Sequence, residues 1–249
     1  MTSTATATAL LPSPRRYDED IAAELRQVTS GSRRHRRNQR PVDGASLELR
    51  RGEVTTLLSR HDGSAGQLLD LLDGRATVGR GSVRVAGHEV SGLDPRELFR
   101  LRREQVTRVQ PGYGIYPKLT VRQNLVIAQR RSGRAADLRW IDEVTESLGL
   151  SGMLGYHDQP GADVRRVRWA VARSLVGRPA LLLVDHVSAP LAWPDKTALT
   201  DALRLAASRL QVAVVIASHD PFTASATDRV VLMTQGRVID DTGVAADAG

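Results

Sequence analysis

Apolar and polar positions alternate near both ends of the chain, and a helical period fills the middle. "DIAAELRQVTS" and "ASLELRRGEVTTLL" are strand-like and flank a turn-rich basic loop, while "GSVRVAGHEV" alternates Val83 and Val85 before a turn at Gly87, a hairpin signal. From Asp94 the period becomes helical. "DPREL" offers an Asp N-cap, proline at the first helical position and Glu97 to close a capping box. "TVRQNLVIAQRR" and "DLRWIDEVTESLGL" continue the helical pattern through 120–150. In "VRRVRWAVARSLVGRPALLLVDH" a helix, a Gly-x-Pro break and an unbroken apolar run, Ala180 to Val184, follow one another. A run of that kind is expected of a parallel strand buried on both faces. "KTALTDALRLAASRL" is an amphipathic helix, "QVAVVIASHD" a second buried strand, and "RVVLMTQGRVIDD" a hairpin around Gln235-Gly236. Strands at both ends enclosing an all-helical insert predict an α/β core interrupted by a helical subdomain, with no internal repeat.

Composition narrows the functions open to such a core. At 249 residues, with 41% hydrophobic and 25% charged positions, the chain can bury a substantial interior. No apolar run approaches the roughly 20 residues that span a bilayer, so membrane association is expected to come through a partner. Cysteine is absent, which excludes disulfides and thiolate metal sites and suits a reducing compartment. The net charge is +7, carried by 33 arginines and only two lysines, Lys118 and Lys196. "RRHRR" (33–37) is the one dense basic cluster, no aromatic residue interleaves it, and aromatics make up only 4% of the chain. Nucleic acid is therefore not an expected partner. Residues 1–16, rich in Ala, Thr, Ser and Pro, and residues 243–249 are expected to be disordered tails, the first lacking the basic and apolar regions of a signal peptide.

"LLSRHDGSAGQLLDLLDG" (57–74) has the outline of a phosphate-binding loop running into a helix, without the lysine. In the pattern G-x-x-x-x-G-K-[ST], backbone N–H groups and a lysine hold phosphates and a hydroxyl holds magnesium. Ser59, Ser64, Ala65 and Gly66 stand where Gly, Gly, Lys and Ser/Thr belong. Asp62 puts a negative charge where polyphosphate would lie. The helix dipole expected near Gly66 and Gln67 is worth about 0.3–1 kcal/mol of anion attraction, small beside a missing lysine and metal ligand.

From about residue 22 to 242 the chain resembles an ABC-transporter ATP-binding subunit. "SLELRRGEV" resembles that family's strand leading to Walker A, and "GSVRVAGHEVSGLDPRELFRLRREQV" the stretch before its Q-loop. "YPKLTVRQNL" is similar to the segment after the Q-loop, and "ARSLVGRPALLLVDHVSAPL" to that spanning Walker B and the D-loop. "VVIASHD" with "DRVVLMTQGRV" resembles the H-loop and its closing hairpin. The wording is nearest to the branch of macrolide exporters, lipoprotein release and FtsX-type permeases. The resemblance implies a P-loop NTPase (RecA-like) core with an antiparallel β subdomain, spanning 17–242, and an inserted helical subdomain at about 94–168.

Against that family's motifs the chemistry is depleted. In the loop, residues Ser59, Asp62, Gly63, Ser64, Ala65, Gly66 and Gln67 form a degenerate Walker A. Asp185 remains at the Walker B position that holds magnesium through water, but His186 replaces the glutamate that polarises the attacking water. The signature L-S-G-G-Q becomes Gly161, Ala162, Asp163, Val164 and Arg165, without the serine hydroxyl. Pro111 takes the Q-loop glutamine position with Gln110 one place early, Ala192 replaces the D-loop aspartate, and Gly31 or Ser32 stands where an adenine-stacking aromatic belongs. His219, the switch histidine of "ASHD", survives. No catalytic residue and no resident metal are therefore expected, and any residual ATP or magnesium binding is expected to be weak.

The function this implies is a catalytically degenerate subunit that pairs with a homologous active ATPase beneath an integral-membrane permease, peripheral to the inner face of the cell membrane. Two alternatives stay open: a non-hydrolysing scaffold or regulator docked on a permease or ATPase, and a divergent but active ATPase using His186 and Arg165. Tyr113, Ile115, Tyr116, Lys118 and Leu119 follow the Q-loop, where a permease's coupling helix lands in the family. Their aromatic and apolar side chains with a basic rim suit docking.

Overall fold

The computed structural model describes residues 19–31, 41–59, 62–110, 114–157 and 164–243. The expected tail at 1–16, all but Gly243 of that at 243–249, the basic cluster 33–37, Ser32, Pro111, Tyr113 and the signature positions Gly161, Ala162 and Asp163 lie outside the described residues.

Two sheets carry the chain. An antiparallel sheet runs in the order β2 (Ala45–Arg50), β1 (Ile21–Ser30), β4 (Val78–Val85), β5 (His88–Glu89). A second, six-stranded sheet has the order β10 (Arg237–Asp241), β9 (Arg229–Thr234), β3 (Val54–Ser59), β8 (Ala213–Ser218), β7 (Leu181–Asp185), β6 (Val106–Val109). All its pairs are parallel except β9 with β10. That last hairpin turns at Gln235 and Gly236, both at positive φ (51° and 85°). A Cβ at Gly236 would lie 1.8 Å from the Pro41 carbonyl oxygen, so only glycine fits there.

The continuous apolar run of β7 divides between two cores. Leu181 and Leu183 face a cluster with Leu57, α1 (Ser64–Leu72) and the antiparallel sheet. Leu182 and Val184 face a cluster with α3 (Val121–Arg131), α4 (Leu138–Ser147), α5 (Val164–Leu175) and α6 (Trp193–Leu210). Period-2 alternation puts successive leucines on opposite faces, and each fully buried one contributes roughly 1.5–3 kcal/mol. The helix α2 (Pro95–Glu104) begins as its sequence implies: Asp94 Oδ1 accepts from the Arg96 and Glu97 amides, and the Glu97 side chain accepts from the Asp94 amide.

One expectation changes. The stretch from Asp94 is not uninterruptedly helical, because β6 returns to the six-stranded sheet as its edge before α3 begins. Four residues are too short to display a period that could be told from a helical turn.

Candidate functional site

Parallel strands put their C-terminal ends, and the loops that follow, along one edge of the sheet, the usual place for a ligand crevice. Here the ends of β3, β8, β7 and β6, adjacent in that order, present Ser59, Ser218–His219, Asp185–His186 and Gln110.

After β3, Asp62 engages the start of α1 and the β9–β10 turn. Asp62 Oδ1 accepts from the Ser64 amide at 2.9 Å and the Ser64 hydroxyl at 2.6 Å. Its Oδ2 accepts from the Gln235 amide at 2.8 Å. Burial pushes this carboxyl upward, but the bonds from Ser64 and Gln235 outweigh it and hold the group below its usual range. Gly63, at φ 71°, sets the turn, and α1 starts at Ser64, two residues before the sequence places it. Ser64, Ala65, Gly66 and Gln67 are all buried, and the Ala65 methyl packs with Leu57 and Leu68 in the core.

Across the crevice Asp185 is already engaged by a cation. Arg108 Nη2 donates to Asp185 Oδ2 at 2.8 Å, while its Nη1 donates to Asp70 Oδ1 at 2.6 Å and Asp73 Oδ2 at 3.1 Å. Gln110 Nε2 reaches the same Asp185 oxygen at 3.4 Å. The Arg108 side chain is 4% exposed, so the network ties α1, β6 and β7 together with little solvent screening. Burial disfavours the Arg108 charge, but Asp185, Asp70 and Asp73 raise its pKa further than burial lowers it. Asp73 is lifted by burial, against the pull of Arg108 and Arg75.

The two histidines adjoin this network. His219 Nδ1 lies 2.7 Å from the Ser59 carbonyl oxygen, and since a carbonyl only accepts, Nδ1 carries the proton. The His186 ring packs on His219 with centroids 4.3 Å apart and 31° between planes, and its Nε2 is 3.9 Å from Asp185 Oδ1. His186 itself has φ 52°, the left-handed turn that ends β7. This arrangement offers imidazole nitrogens beside a neutralised carboxylate, facing a loop whose described residues carry no cation.

No family model matches the chain. It is 28% identical over 219 residues to a methionine import ATP-binding protein MetN of Geobacillus kaustophilus, covering 87% of this chain and 64% of that protein. With the sulfate/thiosulfate import ATP-binding protein CysA 2 of Chromobacterium violaceum the identity is 30% over 208 residues, covering 83% and 55%. With the lipoprotein-releasing system ATP-binding protein LolD of Pseudomonas syringae pv. tomato it is 28% over 202 residues, covering 80% and 88%. Among solved structures, cbiO1 from Clostridium perfringens, part of the ABC transporter complex cbiONQ, superposes with a TM-score of 0.74 at 18% identity, covering 90% of this chain and 88% of that one. The dimeric bacterial ABC transporter cassette MJ0796 gives 0.71 at 19%, covering 88% and 97%. The chain is an ABC nucleotide-binding domain. It spans about two thirds or less of the MetN and CysA proteins it matches. Import and release proteins stand at similar identity, so the relatives span several branches of the family.

In this nucleotide-binding domain the remaining described sequence-predicted positions lie in α5 and in the segment before α3. Val164 opens α5 and Arg165 is exposed at its first turn. Tyr116 and Lys118 are exposed, Leu119 is half-buried, and Ile115 is half-buried against the core near α3. Among the described residues no helix is long and apolar enough to cross a membrane. Sequence reasoning missed Arg108, Asp70 and Asp73. Their signal was a charge inside an apolar run: one arginine in "VTRV" and two aspartates in "LLDLLD".

Proposed function

We propose that this ABC nucleotide-binding domain is a non-hydrolysing subunit, pairing with a homologous active ATPase beneath a membrane permease at the inner face of the cell membrane. The observation that carries the reading is the Arg108 guanidinium on Asp185 at 2.8 Å. In the resembled family that carboxylate serves magnesium. Here an internal cation takes the role, and an internal anion, Asp62, takes the amide of Ser64 at the start of α1. With Ala65 buried where a lysine belongs and His186 in the glutamate position, the residues present do not fit a magnesium-triphosphate. The fold, the core and the capped helices are meanwhile intact, which suits a part kept for its shape.

A second reading, a scaffold in an assembly without turnover, draws support from the same crevice. ABC sites are composite, and "GADVR" would also weaken the site on the partner's side. Affinity purification of the tagged chain from its own membranes, with mass spectrometry and an ATPase assay of the complex, separates them. The proposal expects a permease, an intact ATPase and turnover. A permease with neither ATPase nor turnover would favour the scaffold, and turnover by the isolated chain would overturn both.

A further inference from the structure

The parallel strands also have N-terminal ends, at the edge opposite the crevice. There Arg51, Pro179 and Val212 lie just before β3, β7 and β8. With Trp140 of α4, Leu175 of α5 and Leu210 of α6 they line a cleft of about 300 Å³. That volume is at the lower end of the range for small-molecule sites, roughly 300–1,000 Å³. Leu175, Pro179 and Val212 are buried and Leu210 is half-buried, so much of the wall is apolar. Among the described residues that line it there is no carboxylate.

Three side chains of the cleft are donors with capacity to spare. Arg51 gives Nε to the Glu19 carbonyl at 3.1 Å and Nη1 to the Gln211 carbonyl at 3.3 Å, and neither partner is charged. Arg178, also in the wall, holds its guanidinium carbon 4.4 Å from the Trp140 ring centroid. Its Nη2 donates to Asp137 Oδ2 at 2.9 Å, a pair with both partners nearly half exposed and so screened by solvent. The Trp140 indole Nε1 is sealed from solvent and has no acceptor among the described residues. A buried donor left unmet is an uncompensated cost. Backbone strain falls in the same place: Arg178 and Gln211, both lining the cleft, have φ of 54° and 51°, in the left-handed region that favours glycine. An unmet donor and two strained residues in one cleft suit a site shaped for a ligand better than a packing seam.

Guanidinium and indole nitrogens donate and do not accept, so what they take must be an acceptor. A carboxylate is the strongest such partner for a guanidinium. Inorganic phosphate would meet the donors and leave the leucines uncovered, and a plain hydrocarbon would do the reverse. We propose that this cleft binds a small carboxylate with an apolar or aromatic body, its charge on Arg51 and Arg178 and its body against Leu175, Leu210 and Val212. The site lies at the other end of the strands from the crevice and stands whichever way the crevice is read.

The test titrates the full chain with phenylbutyrate, with its uncharged amide phenylbutyramide and with inorganic phosphate. NMR follows the indole N–H resonances of the three tryptophans, and Trp140→Phe identifies the one from Trp140. Phenylbutyrate should move that resonance and bind about tenfold more tightly than the amide. The advantage of the acid should be lost in Arg51→Gln and in Arg178→Gln, with thermal melts verifying the fold. Arg178 is exposed, so Arg178→Gln decides the matter even if Arg51→Gln does not fold. Equal affinity for acid and amide, no binding of either, or a Trp140 resonance that stays still at saturation overturns the proposal. So does an acid preference that survives in the arginine variants. Phosphate binding as tightly as phenylbutyrate would overturn it too, making the cleft a small-anion site.

Discussion

The guanidinium of Arg108 and the carboxylate of Asp185 meet at 2.8 Å, in a position where both are more than four-fifths buried. One arginine there serves Asp70, Asp73 and Asp185 at once. Removing it would take the arginine from the buried Asp70 and Asp185 and leave Asp73 with Arg75 alone. Arg108→Leu should therefore destabilise the fold by about 3–5 kcal/mol, the usual cost of breaking a buried ionic network from one side. Urea unfolding of the variant and the parent checks this. A loss of under 1 kcal/mol would mean that the network contributes little.

Asp62 gives a pH-dependent counterpart. Its folded carboxyl sits below the ordinary value of 3.8, so its contribution is present above that value and fades as pH falls through the folded one. The group is half-buried, so solvent still screens its bonds to Ser64 and Gln235, which should be worth roughly 0.5–1 kcal/mol. Asp62→Asn is expected to lose that much at neutral pH and to converge with the parent as pH falls from 3.8 through the lower folded value. Thermal melts across this range read it directly.

Much of this was legible in the sequence, for stateable reasons. The capping box at Asp94–Glu97 and the apolar runs of β7 and β8 are local signals, and the structure contains them. The Arg108 network is different in kind. Arg108 is 38 residues from Asp70 and 77 from Asp185, and only the parallel pairing of β6 with β7 brings them together. A pattern of nearest neighbours carries no record of that. Likewise β6 was hidden in a helical stretch because the sheet, not its own four residues, makes it a strand.

Restoring the lysine alone should not restore chemistry. Ala65 is 0% exposed and packed among leucines, so Ala65→Lys pushes a cation into the core at the start of α1. The magnesium hydroxyl and the glutamate would still be missing, and groups that act as a unit are strongly non-additive. The expected result is a lower melting temperature and no ATP turnover. Clear turnover from this single change would contradict multi-site loss.

Docking along 114–119 is tested by a Tyr116→Ala, Leu119→Asp double variant. Tyr116 is exposed, so its truncation should leave the fold standing; a thermal melt verifies that. Recovery of the permease with the folded variant is expected to fall to a small fraction of the parent. Unchanged recovery would move the docking surface elsewhere.

The central claim is that this crevice is closed by its own charges, Asp62 at the loop and Arg108 at Asp185. Calorimetric titration of Mg-ATP into the purified chain tests it most directly. The account predicts no binding in the micromolar range, with or without EDTA; a micromolar Kd that EDTA abolishes would contradict it.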